Sequence, residues 1–321
     1  MQTTSVSDYM LSYRAPEAAL TTARAPRLWI TGLSSLTVVL ALIATLAGIL
    51  TGFGQHHRTY LSLRGATVTL QGGGLYGYES LSGASQAIGQ DLVTLFVATP
   101  LLVVATVLAL RGSVRGLVLR AGVLMYFTYT YMLMAFGGAY NPLFLVYIAL
   151  YSSSLFAFIL SLLAIDPARL QARFSGRFAR VPVGWALIGF ASLLGLMWLG
   201  RIVPSLASGA VPPGLDSYST LFVQAGDLGL LVPLFVLSGV LLLRRHPTGY
   251  LLAAVMLVKG ATFGLALVAM IVAMDLLGAG FVVVEAAFFT TLAVVLTGFA
   301  VHCAACLPRM PERMDRPRIA S

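Results

Sequence analysis

Eight apolar stretches, each about as long as a lipid bilayer is thick, recur along this chain of 321 residues. A spanning helix needs about 20 predominantly apolar residues, and the stretches 28–53, 91–110, 117–136, 143–165, 183–202, 221–243, 250–274 and 281–307 meet that length. Within hydrocarbon a backbone must satisfy its own hydrogen bonds, which a helix does inside a single segment. The expected fold is therefore all-α and polytopic, with eight transmembrane helices. Composition agrees, at 59% hydrophobic and 10% charged residues. A soluble domain of this size cannot hide so much apolar surface.

The net charge of +9 would suggest a nucleic-acid partner in a soluble protein. Here the arginines fall in short loops between apolar runs, where they set topology and meet anionic headgroups. Membrane lipids are the expected partners, and nucleic acid is not. With both termini inside, the inner side collects Arg111, Arg115, Arg120, Arg169, Arg173, Arg177, Arg180, Arg244 and Arg245, then Arg309, Arg313, Arg316 and Arg318. The outer side keeps Arg58, Arg64 and Arg201. This asymmetry places both termini in the cytoplasm. The preference for arginine over lysine, beside abundant Ala, Gly and Leu, points to a GC-rich bacterial genome and hence to a bacterial cytoplasmic membrane. The first apolar run comes after a polar leader, 1–27, and is long enough to span, so it reads as an uncleaved helix and not a signal peptide.

The first outer loop, 54–90, is the only long one. Residues 60–63 and 67–70 alternate around Arg64-Gly65 as in a short β-hairpin, and 80–90 form a short helix leading into the second span. A long ordered exterior loop often caps a cavity.

The chain also repeats itself. At an offset of 133 residues Pro100 falls on Pro233, Arg111 on Arg244, Gly116 on Gly249 and Ala121 on Ala254. At an offset of 137, Phe144 falls on Phe281, Tyr151 on Phe288, Ser153 on Thr290 and Ser154 on Thr291. These anchors predict a four-plus-four tandem repeat of parallel orientation, 28–165 and 183–307, joined by an Arg-rich linker, 166–182, and ending in a basic tail, 308–321. Symmetry breaks where Lys259 replaces Tyr126, Glu285 replaces Ile148 and Gln224 stands opposite Asp91.

Lys259 is the only lysine of the chain and lies inside an apolar run. At a rise of about 1.5 Å per residue it stands roughly 20 Å above the inner arginines, and Asp91, Asp227 and Glu285 roughly 27–35 Å above them. A charge in hydrocarbon costs a few kcal/mol, so Lys259 must be paired, neutral or lining water. Asp227 is the expected partner, because spans six and seven are joined by a tight turn. Gln224, Arg201, Tyr129, Tyr131 and the Tyr140-Asn141-Pro142 corner fall at compatible depths. Gly260 and Gly264 come after the lysine at GxxxG spacing, which lets another helix approach and turns Lys259 toward protein.

A CxxC pair, Cys303 and Cys306, stands just after His302 at the end of the last run, and His56-His57 sits in the outer loop. Small residues at a helix end account for the first, and neither makes a metal or cofactor site the expectation. No phosphate loop, metalloprotease motif or Ser/His/Asp set is present in the sequence. The expected function is that of a transporter or permease with an outward-facing polar site for a small molecule or ion, built from Lys259, Asp227, Asp91, Glu285, Gln224, Asn141 and Tyr140. The alternatives are an intramembrane enzyme acting on a lipid-linked group at the outer leaflet, and a structural or sensory subunit.

Overall fold

The computed structural model describes residues 24–51, 57–280 and 283–308, with the side chains of 24–26, 284 and 285 left out of the description. Eight of its helices are long and apolar enough to cross a membrane. They are α1 (Arg24–Thr51), α2 (Leu81–Leu110), α3 (Val114–Phe136), α4 (Phe144–Leu163), α6 (Arg180–Ser208), α7 (Phe222–Leu243), α8 (Pro247–Leu276) and α9 (Val283–Ala305). A short helix, α5 (Pro167–Ala172), lies between α4 and α6. The leader before residue 24, the tail after 308 and His56 lie outside the described residues.

The expected hairpin is present. Strands β1 (Arg58–Leu61) and β2 (Thr67–Leu70) pair antiparallel, with Arg58 opposite Leu70 and Leu61 opposite Thr67. Gly65 takes the left-handed conformation that the turn requires, at φ +80°. The first strand begins two residues earlier than its alternation suggests, because cross-strand pairing and not side-chain polarity fixes its limits.

α2 starts ten residues before the second apolar run. Hydropathy separates 81–90 from that run, yet the helix continues unbroken across the boundary. Ser80 caps it, accepting a hydrogen bond from the Gly83 amide at 3.0 Å. The small residues of this first stretch let α8 come close: a Cβ added at Gly89 would lie 2.6 Å from the Ala269 carbonyl oxygen.

α3 and α8 form the centre of the bundle. α3 contributes both to an apolar cluster with α6, α7 and α8 and to a second one with α1, α2 and α4. The two central helices touch at Gly122, where an added Cβ would meet the Val258 Cβ at 2.4 Å. Gly264 performs the same task toward α9, with the Ala293 Cα 2.7 Å from its would-be Cβ, so the GxxxG spacing does mark a close helix contact.

Two features recur 133 residues apart. α2 and α7 each contain a π turn, Thr94–Ala98 and Asp227–Leu231, directly before Pro100 and Pro233. A proline ring collides with the carbonyl four residues earlier in a regular helix, and a widened turn relieves that collision. Both helices then end on an arginine, Arg111 or Arg244, with φ −77° and ψ 3°. A residue of positive φ comes next in each (Gly112, Arg245), and then a side-chain cap, Ser113 or His246, opens the next helix.

One end of the bundle carries the arginines, and there basic side chains close helix C-termini. Arg115 donates to the Leu307 and Ala305 carbonyls, and Arg180 to those of Leu242 and Leu243. The opposite end carries the hairpin and the 209–221 connection, tied together by Ser80 donating to Asp216 at 2.9 Å and Tyr218 donating to Glu79.

Candidate functional site

A cavity of about 320 Å³ opens among α2, α3, α6, α7 and α8 at the hairpin end. Aliphatic and aromatic side chains of α8 (Phe263, Leu267, Met270, Ile271 and Met274) form one wall. Gln86 and Gln90 of α2, Thr130 of α3, Arg201 of α6 and Gln224 of α7 supply polar groups from the other sides. Glu79 and Tyr218 stand at the rim.

Asp227 lies deepest among the lining acids and is almost wholly buried. It is the first residue of the α7 π turn. Its Oδ2 accepts a hydrogen bond from Trp198 Nε1 of α6 at 2.7 Å, and its Oδ1 accepts one from the Tyr129 hydroxyl of α3. A buried carboxylate needs such charge-assisted donors, which are roughly twice as strong as neutral ones.

Lys259 is 1% exposed, as the GxxxG argument requires, but it does not pair directly with Asp227. Its Nζ has no hydrogen-bond partner among the described residues. It rests instead against aromatic faces, 4.3 Å from the Phe263 ring centroid, 4.4 Å from Tyr129 and 5.5 Å from Tyr126. The expected ion pair is thus replaced by a relay: Tyr129 offers its hydroxyl to the acid and its ring to the amine. The reason is geometric. α3 sits between α7 and α8 at this depth, and a tyrosine is long enough to serve both. A desolvated cation–π contact contributes about 2 kcal/mol, so three rings offset much of what burying the charge costs.

The two halves carry related polar pairs here. Thr94 and Tyr126, which occupy the positions of Asp227 and Lys259 at the 133-residue offset, hydrogen-bond directly at 2.8 Å, and Gln90 also donates to Tyr126. Uncharged groups pair in the first half where charged ones are held apart in the second.

The remaining expected residues are distributed around the bundle. Gln224 lines the cavity and is buried. Asp91 does not reach it. Neighbouring residues on a helix point about 100° apart, and while Gln90 faces the cavity, Asp91 faces α1 and accepts from the Tyr76 hydroxyl at 2.6 Å. Asn141 caps the α3–α4 corner, its Oδ1 accepting from the Leu143 amide at 2.9 Å. Tyr140 is 78% exposed and packs on Phe144. Neither Asn141 nor Tyr140 joins the cavity. The side chain of Glu285 lies outside the described residues.

Glu79 is the residue that sequence reasoning missed. It is buried, with Oε1 accepting from the Ala139 amide at 2.6 Å and Oε2 from the Tyr218 hydroxyl. Burial pushes its carboxyl above the ordinary value, and those two hydrogen bonds partly offset the rise. It lies in a glycine-rich loop without periodicity. The one available signal was that it is the only acid between Glu17 and Asp91. At the arginine end, His302 Nε2 accepts from the Ala179 amide at 3.1 Å and lies 3.7 Å from Cys306 Sγ, tying α9 to the start of α6. Among the described residues no three His, Cys, Asp or Glu side chains cluster as metal ligands.

Compared with protein-family models, with curated proteins and with solved structures, the chain has no match in any of the three.

Proposed function

We propose that this chain is a transporter or permease of the bacterial cytoplasmic membrane, with the cavity as its outward-facing site. One observation carries the reading: a cavity of small-molecule size, walled by helices of both halves, ends on an acid that a single tyrosine links to a buried lysine. The arginine end faces the cytoplasm by the positive-inside rule, which puts the hairpin end and the cavity mouth outside. The paired π turns, prolines and arginine turns support two parallel four-helix repeats, an arrangement in which the substrate site falls at the repeat interface. Proton coupling rests on the relay. Neutralising Asp227, by a proton or by a bound cation, weakens its hold on Tyr129 and alters the aromatic face on which Lys259 rests.

The other two readings fit the geometry less well. An intramembrane acid–base enzyme needs both groups at one reacting atom, and Asp227 and Lys259 stand on opposite sides of Tyr129. A charge lock needs the pair in contact and no cavity beside it.

Thiol accessibility tests the proposal. Gln224→Cys and Lys259→Cys are made in a Cys303→Ser/Cys306→Ser background and treated with a membrane-impermeant reagent in oriented vesicles. Position 224 is expected to react from outside, and position 259 from either side as the protein changes state. Reaction of both positions from outside only favours the enzyme, and no reaction at either position favours the lock.

A further inference from the structure

Asp91 has no role in the cavity, and its surroundings have a chemistry of their own. It is a carboxylate buried in an apolar bundle, and among the described residues no lysine or arginine pairs with it. Its one hydrogen bond comes from Tyr76, whose hydroxyl reaches Oδ2 at 2.6 Å. Two more tyrosines approach it, Tyr131 from α3 and Tyr147 from α4, their rings stacked 6.0 Å apart. Both are almost wholly buried, and among the described residues the hydroxyl of each makes no hydrogen bond. α1 closes the remaining side with Gly48, where an added Cβ would lie 1.9 Å from Asp91 Oδ2.

Three features make this a site and not a packing accident. The negative charge is uncompensated, in an environment where an unbalanced charge costs several kcal/mol. Two tyrosine hydroxyls are buried beside it without partners, against the rule that buried polar groups are satisfied. All the donor atoms are oxygen, which suits a hard cation. Oxygens that share a cation at about 2.3–2.6 Å stand farther apart than hydrogen-bonded ones, which explains hydroxyls that surround a carboxylate without bonding to it. A single carboxylate balances one positive charge, so the ion is monovalent. We infer that Asp91, with the hydroxyls of Tyr76, Tyr131 and Tyr147, binds a monovalent alkali cation, Na⁺ by preference, at a site separate from the cavity. The titratable groups around it are these three tyrosines, Tyr126 on α3 and Glu79 beyond Tyr147; the described residues of α1 and α8 present none there. The inference stands whatever the cavity carries.

The test is the thermal unfolding midpoint of the purified full chain in detergent as NaCl replaces choline chloride at constant ionic strength. A ligand of the native state raises the midpoint in proportion to the logarithm of its concentration above Kd. Wild type and Asp227→Asn are expected to show that rise, and Asp91→Asn to lose it. Tyr147→Phe, which keeps the ring and so the packing, is expected to need about tenfold more Na⁺ or beyond. Equal midpoints in Na⁺ and choline overturn the site, as does a Na⁺ response that survives in Asp91→Asn. A midpoint that tracks pH through Asp91 but ignores Na⁺ shows the group carrying a proton, and also overturns it.

Discussion

Tyr129 meets Lys259 ring to ammonium, with 4.4 Å between Nζ and the ring centroid, and the hydroxyl of the same tyrosine is spent on the carboxylate of Asp227. The bond to the acid and the contact with the amine therefore separate by mutation. Tyr129→Phe keeps the ring under Lys259 and takes one donor from a buried carboxylate, a loss of about 1–3 kcal/mol. Tyr129→Leu removes both contacts and is expected to cost clearly more. Thermal unfolding of the two variants in detergent compares them, and equal losses would show that the ring contact contributes nothing.

Because Asp227 and Lys259 are not in direct contact, their mutational effects are expected to be nearly additive. A double-mutant cycle with Lys259→Met and Asp227→Asn should give a coupling energy below about 1 kcal/mol, against the roughly 3–5 kcal/mol cost of breaking a buried pair in contact. A double mutant that regained all the stability lost by each single change would contradict the relay.

Glu79 lies outside the spanning helices, and its carboxyl is raised by burial from an ordinary 4.5. The folded protein therefore binds this proton more tightly than the unfolded chain does. In that situation stability falls as pH rises from about 4.5 to the raised folded value, and the penalty is complete above it. Glu79→Gln removes the penalty. The difference in Tm between wild type and Glu79→Gln should thus grow with pH across that window and level off beyond it. A difference independent of pH would mean that the carboxyl is not perturbed.

The helix contacts make a further comparison possible. Gly122→Ala drives a methyl group to 2.4 Å from the Val258 Cβ, so α3 and α8 must separate, and overpacking of this kind costs about 1–3 kcal/mol. Gly32→Ala on α1 meets nothing within 4 Å and is expected to be neutral or slightly stabilising, since alanine is the better helix former. Tm measurements on the two proteins distinguish the contact from the general effect of replacing glycine.

These residues also show where sequence reasoning reached. The eight spans, the hairpin at Gly65 and the inward aspect of Lys259 were all legible, because each rests on a property of consecutive residues: apolar length, alternation, or the i, i+4 spacing of Gly260 and Gly264. Depth along the bundle was legible too, since rise per residue is constant, and it placed Asp91, Asp227 and Gln224 near one level. Direction around each helix axis was not. Asp91 and Asp227 share a depth but face opposite sides of the bundle, and only the packing of α1 against α2 and of α6 against α7 decides which. Tyr129 became the link because α3 runs between the helices that carry the two charges. Glu79 joined the cavity because a glycine-rich loop folds back over its mouth. The sequence by itself determined how many helices there are and which residues lie inside the bundle, since both depend on transfer free energy summed along a segment. Only the tertiary structure decided which inside residues meet, because that depends on the azimuth and separation of helices distant in the chain.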